Sequence, residues 1–327
     1  MNETASLPLS LIDRFYLLLL RLIARLPIPV LQALGRLIGN WAHILPQVTP
    51  VFVTRRNLYL CFPEKSKKEL DQLCVQSLQS NAMTFLEFAK CWGMPPQYSI
   101  EKIVKVRGEE IFRNALAQGC GTLALVPHFG NWEFMNAWTA QYAHLTVMYK
   151  PTKEPGVDLF VLEARSRLNA ELVPTDDSGV RSLLRALKRN GFVAVLPDHV
   201  PQPKGGVSAP FFGIETLSTV LASRLWQRTH CAVIVMYARR CPDTIGFELV
   251  IEEADPAFFS EDIKESVTGM NRTIERVIRT SPADYQWAYR RFKSCSHIHN
   301  IYDRSHPPQF DAEHPGKRHF YRTPSAK

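Results

Sequence analysis

A chain of 327 residues with 46% hydrophobic and 21% charged side chains carries too much apolar surface for a disordered tail protein. Its mean hydropathy of −0.13 is too low for a protein made of repeated membrane spans. The 39 Lys and Arg outnumber 31 Asp and Glu, a net charge of +8, and the length suits one large α/β domain or two smaller units.

The basic excess begins at the N-terminus. Up to position 60 the acids are Glu3 and Asp13, against Arg14, Arg21, Arg25, Arg36, Arg55 and Arg56. Scattered among apolar residues, such cations suit an anionic membrane surface, where each adds about 1 kcal/mol. Nucleic acid is not expected, because the chain has no zinc finger, no RNA-binding aromatic signature and no separate basic arm. The stretch from Phe15 to Pro46 is the most apolar in the chain, but Arg21, Arg25 and Arg36 interrupt it and Pro27 and Pro29 break any continuous helix. Arg14, Arg21 and Arg25 recur at sevens and fours beside a Leu-rich face. That pattern describes an interfacial helix with snorkelling arginines, or one tilted span ending near the prolines. A secretory signal is not expected, since no basic region precedes the run and no small-residue cleavage site closes it. Residues 1–50 are therefore read as a membrane-associated helical segment.

Beyond Pro50 a helical pattern covers Lys67 to Trp92, and short apolar runs then alternate with helical ones. Strands are expected at Thr122–Pro127, Leu145–Tyr149, Phe192–Pro197, Ala232–Ala238 and Gly246–Glu253. Helices are expected at Asn131–Tyr142, Val157–Leu168, Val180–Lys188, Leu217–Thr229 and Glu261–Thr280. This order predicts an α/β domain over residues 51–305, a mostly parallel central sheet with flanking helices. The short Ala238-to-Gly246 connection predicts an antiparallel edge hairpin. Residues 306–327, rich in Pro, His and Arg, read as a frayed tail. The seven cysteines form no CxxC pair, so buried free thiols are expected rather than a zinc ribbon or a disulfide framework. The His297–His299 pair lacks a third ligand, and neither a metal nor a cofactor is expected.

Open α/β sheets place their ligand sites at the carboxyl ends of strands. His128 stands at such an end, after Pro127 and before Gly130, a residue suited to a sharp turn, and Asn131 suits a helix N-cap. Folded together, His128 and Glu133 would make a general-base dyad: a neutral imidazole takes a proton and a carboxylate on its other nitrogen fixes the tautomer. Backbone N–H groups at Gly130 and Asn131, or a nearby cation, are the candidate oxyanion donors, and Asn131 is counted among the substrate-binding candidates. Lys150, Arg165 and Arg167 follow the second strand and could bind phosphate, or simply form a solvated face. Asp198 closes the 192–197 strand on the same sheet edge as His128 and reads as a substrate- or His-orienting group; His199 reads as a bystander. Lys204–Gly206 lacks the order of a P-loop. Phe211 and Phe212 line a pocket or pack in the core. No GxSxG elbow for a serine nucleophile is present.

HFGNWE (His128–Glu133) resembles the H-x4-D/E motif of the glycerolipid acyltransferase superfamily. More narrowly, the chain resembles the late acyltransferases of lipid A biosynthesis, the lauroyl/myristoyl transferase family, over nearly its whole length. RRNLYLCFPEKS (Arg55–Ser66), LPDHVPQPKGGVSAPFFG (Leu196–Gly213) and SPADYQWAYRRFK (Ser281–Lys293) resemble that family's other blocks in the same order. Glu133 stands where the wider superfamily usually has Asp, and the lipid A branch accommodates Glu. The resemblance implies a glycerolipid-acyltransferase-like fold. It also implies acyl transfer from an acyl-carrier-protein or acyl-CoA thioester to a hydroxyl of a lipid A precursor, at the cytoplasmic face of the inner membrane. Arg165 matches the family's arginine, with Arg167 as the alternative match. A monomer is expected. Competing readings are acylation of another lysolipid or glycolipid, and a non-enzymatic module that binds anionic membrane.

Overall fold

The computed structural model describes residues 9–306 and 308–310. Five helices come first: α1 (Leu11–Arg25), α2 (Ile28–Ile44), α3 (Thr49–Cys61), α4 (Lys67–Gly93) and α5 (Pro96–Lys102). An alternating stretch follows: β1 (Ile103–Arg107), α6 (Glu109–Ala117), β2 (Thr122–Leu125), α7 (Trp132–Thr139), β3 (Leu145–Met148), α8 (Pro155–Arg167), β4 (Glu171–Val173), α9 (Asp177–Lys188) and β5 (Phe192–Val195). Then come β6 (Gly206–Phe211), β7 (Ile214–Thr219), α10 (Leu221–Thr229), β8 (Ala232–Arg240), β9 (Phe247–Glu252), α11 (Ile263–Thr280), β10 (Ile298–His299) and β11 (Gln309–Phe310).

The central sheet has the order β1-β9-β8-β2-β5-β3-β4. Its pairs are parallel except β8 with β9. Every residue of β2 (TLAL) and β5 (FVAV) is buried, as strands covered on both faces require. The mostly parallel α/β sheet is thus present. The β8–β9 hairpin is antiparallel as expected but not an edge, because β1 pairs outside β9. β1 escapes a sequence reading because its IVKVR run is short and only partly buried. The expected helix from Leu217 also starts later. Phe212 (φ 51°) and Gly213 (φ 69°) form a tight turn that folds β7 back on β6, so residues up to Thr219 are strand. Of the expected frayed tail, Gln309 and Phe310 pair with β10; residues 311–327 lie outside the described residues.

The N-terminal segment is two helices bent by 117° at the prolines, and among the described residues no single helix is long and apolar enough to cross a membrane. At the start of α1, Ser10 and Asp13 cap each other, and Asp13 Oδ1 also accepts the Gly156 N–H (3.2 Å) at the start of α8. At its end, the buried Lys90 ammonium donates to the carbonyls of Ala24 (2.9 Å) and Leu26 (2.6 Å). α2 lies directly on α4: a Cβ at Gly35 would stand 2.6 Å from Met83, and one at Gly39 would stand 2.5 Å from Gln79. The opposite faces of both helices are bare. Leu11, Ile12, Phe15, Leu18 and Leu22 on α1, and Leu37, Ile38, Trp41 and Ile44 on α2, are each more than half exposed. Arg14, Arg21, Arg25 and Arg36 are exposed too, whereas Arg56 is buried, with its guanidinium over the Phe52 ring.

One face of α4 meets the sheet through a buried ion pair. Glu87 accepts from Arg240 Nη2 (2.7 Å) and Nε (3.0 Å), and the same guanidinium reaches Ser80 and Thr84. Truncating one member strands a buried charge, so Arg240→Met should lower unfolding free energy by about 3–5 kcal/mol. Glu87→Leu combined with Arg240→Met should recover much of that loss in urea titration. A harmless Arg240→Met, or a double variant worse than the single, would show that the pair is not what joins α4 to β8.

Candidate active site

β2 and β5 are neighbours with Leu125 opposite Val195. Three residues beyond that register pair, the two chains deliver His128 and Asp198. Asp198 Oδ1 lies 2.7 Å from His128 Nδ1, and Oδ2 accepts the His128 backbone N–H (2.9 Å). The carboxylate thereby fixes both the ring and the loop that carries it. Asp198 is fully buried while the imidazole keeps 14% exposure, so the pair is solvated from the histidine side only. Burial alone would raise the Asp198 carboxyl; the adjacent imidazoles and the two His128 hydrogen bonds outweigh it and hold the group well below the usual carboxylate range. With Nδ1 on the carboxylate, Nε2 is the ring nitrogen left to exchange a proton, and among the described residues nothing hydrogen-bonds to it.

The loop is held from both sides. Gly130 adopts φ +60°, and a Cβ there would sit 1.9 Å from the Ala238 carbonyl oxygen, so glycine is required. The Gly130 N–H donates to the Asp284 carbonyl (2.9 Å), Asn131 N–H to Ala238 (2.8 Å) and Gln286 N–H to His128 (3.0 Å). The two N–H groups considered as oxyanion donors are therefore already engaged. Asn131 stands at the N-cap of α7 but makes no side-chain cap. It is fully buried and donates its amide to Glu87 Oε2 (3.0 Å), so its side chain braces the loop against α4.

Glu133 is not the imidazole's partner. It sits in the first turn of α7 and accepts from Arg165 Nη2 (2.6 Å), Trp92 Nε1 (2.9 Å) and Asn136 Nδ2 (3.2 Å). The expected His128–Glu133 hydrogen bond is replaced by His128–Asp198, because the parallel register brings a residue 70 positions away closer than five residues of turn can bring Glu133. Arg165, and not Arg167, is the arginine joined to the motif. Arg167 is exposed and donates to the Trp92 carbonyl. Lys150 is exposed just beyond β3 and forms no ion pair among the described residues. Phe211 and Phe212 pack in the core, Phe212 edge-on to Phe62 and Trp287.

His199, set aside as a bystander, stacks on His128 with centroids 3.9 Å apart and planes 2° apart. Tyr289 stacks on its other face at 3.9 Å. Trp132 meets the His128 ring edge-on at 5.0 Å. Burial first, then the nearby His128, push His199 down to about 4. The imidazole is thus clamped by a neutral ring. Adjacency to Asp198 was the only sequence signal for this.

The profile of the family described as bacterial lipid A biosynthesis acyltransferase matches residues 2–294. This chain belongs to that family. It is an acyltransferase of the late lipid A type. The Escherichia coli lipid A biosynthesis lauroyltransferase is 29% identical over 274 residues, 84% of this chain and 88% of that protein. The palmitoleoyltransferase of the same organism is 27% identical over 83% of this chain and 87% of its own length. A Haemophilus influenzae lipid A biosynthesis acyltransferase is 26% identical over 84% and 88%. In this acyltransferase the RRNLYL block meets the closing block directly: the Asn57 amide donates to the carbonyls of Trp287 and Tyr289, both at 2.7 Å.

The neutral His199 ring has a measurable signature. An unfolded chain takes up a proton near the ordinary histidine value of 6.5, which the folded ring refuses until about 4, so stability falls as pH drops through that window. The low Asp198 pKa acts only below the ordinary carboxylate range. Thermal melting of the wild type should therefore drop more between pH 6.5 and pH 4 than that of His199→Phe, which keeps the stack and removes the titration. Parallel curves would mean that the ring is not held neutral.

Proposed function

We propose that this acyltransferase moves a fatty acyl chain from an acyl-carrier-protein or acyl-CoA thioester to a hydroxyl of a lipid A precursor, with His128 as general base. The observation that carries the reading is the His128–Asp198 pair at the carboxyl ends of adjacent strands, its imidazole partly exposed, in a chain of this family. Nε2 takes the acceptor's hydroxyl proton as the oxygen attacks the thioester carbonyl. Asp198 holds the ring in the required tautomer and stabilises the imidazolium. The tetrahedral oxyanion collapses, the C–S bond breaks, and the imidazolium returns its proton to the departing thiolate. No covalent enzyme intermediate is needed. Since the Gly130 and Asn131 N–H groups are engaged, a cation is the remaining candidate for the oxyanion, and Arg165, steadied by Glu133, is the one tied to the motif.

The setting proposed is the cytoplasmic face of the inner membrane, with α1 and α2 lying in one leaflet. The bare apolar faces of two helices packed inward on α4 and α8, with exposed arginines beside them, support that reading.

His128→Ala should lower turnover by at least about 100-fold, and Asp198→Asn by a comparable factor, with circular dichroism unchanged. A near-normal rate in His128→Ala would end the general-base mechanism. Lipid A from a strain lacking the gene should lose the mass of one or more acyl chains, restored by wild type and not by His128→Ala. Unchanged lipid A with altered phospholipids would instead assign another acceptor.

A further inference from the structure

Resting on that reading, we infer that the groove between α1, the end of α4 and α8 is a binding site for a phosphate group of the acceptor lipid, with Arg25 and Arg167 as its ligands. The groove is lined by Arg21, Arg25, Trp92, Phe160, Glu163 and Arg167, among others. Three guanidiniums therefore face one carboxylate. Glu163 lies against Arg21 at 3.6 Å in a half-exposed contact, a weak pair. Arg25 forms no ion pair among the described residues, and Arg167 uses one nitrogen on the Trp92 carbonyl, leaving further donors of its fork. Paired guanidinium forks match the geometry of phosphate oxygens better than any other side chain does. The apolar wall of Phe160 and Trp92 suits the body of an amphiphile.

The groove is preformed. The last turn of α1, which carries Arg25, is held by the Lys90 ammonium, and its first turn is held to α8 by Asp13. A second cavity beside it shares Trp92, Met94 and Arg167 and is also lined by Glu133 and Arg165. The buried Arg165 Nε there has no hydrogen-bond partner. From the groove, ring contacts lead back to the base: Trp92 to Phe88 at 5.4 Å, Phe88 to Trp132 at 4.8 Å, and Trp132 to His128 at 5.0 Å. The groove opens beside the bare apolar face of α1, the side from which an amphiphile, and not a soluble donor, would arrive.

The test is steady-state kinetics of the full chain in mixed micelles, with a phosphorylated acceptor and the same acceptor enzymatically dephosphorylated. Arg25→Ala with Arg167→Ala should raise KM for the phosphorylated acceptor by about tenfold or more, equivalent to about 1.4 kcal/mol. The dephosphorylated acceptor, already weak with wild type, should respond little, and donor KM should not move. Arg25→Lys with Arg167→Lys should recover part of the loss. Equal effects on both acceptors, no effect on either, or a raised donor KM would overturn the assignment. So would intact kinetics with weakened binding to phosphatidylglycerol vesicles, which would make the groove a general lipid contact. If wild type transfers acyl groups to the lipid A precursor but the double variant gives one of these overturning results, only this inference fails. If wild type transfers none to the lipid A precursor, the proposed function fails and takes this site with it.

Discussion

The contact on which the rest depends is the 2.7 Å hydrogen bond between an imidazole and a carboxylate that leave adjacent parallel strands at the same level. A fully buried carboxylate is costly unless it is paired and hydrogen-bonded, and Asp198 is both, through the His128 ring and the His128 backbone. The surrounding structure serves that requirement. Residues 284–286 run along the His128 loop and hydrogen-bond to it, Gly130 lets it pass close to β8, and His199 with Tyr289 fills the space over the ring. Restricting the imidazole in this way removes the tautomer and rotamer choices that a free histidine would keep.

Much of this was legible in the sequence. The five main strands, the histidine at a strand end and the Asp on the same sheet edge all follow from apolar runs and their punctuation. The partner of His128 did not, because proximity along the chain favoured Glu133, whereas parallel pairing is a long-range property that no local pattern encodes. Nor did the sequence show that Trp92, Asn136 and Arg165 would occupy Glu133, since Trp92 and Arg165 come from separate helices. His199 stacks on rings from two other segments, a relation with no spacing signature. Arg56 was counted with the basic residues of the N-terminal stretch, yet it lies inside the protein; a charge count does not know which face a helix buries.

The four sequence blocks that carried the family resemblance turn out to form one structure. Asn57 ties the first to the last, Asp198 of the third holds the histidine of the second, and Tyr289 of the last stacks on His199 of the third. Arg291, buried in the last block, donates to the Leu217 carbonyl (2.9 Å) and the Ser218 hydroxyl (2.6 Å), which anchors that block on the β6–β7 hairpin. Blocks far apart along the chain thus meet through shared side-chain contacts.

α4 has a mechanical consequence. Gln79 and Met83 on one side of it admit the glycines of α2, while Thr84 and Glu87, a turn further along, meet the His128 loop at Gly130 and Asn131. One 27-residue rod therefore couples the greasy outer helices to the His128–Asp198 pair with no hinge between them. With those helices seated in a leaflet, the rod would fix how high the imidazole rides above the lipid tails. Acceptor hydroxyls would then be sorted by depth as well as by shape.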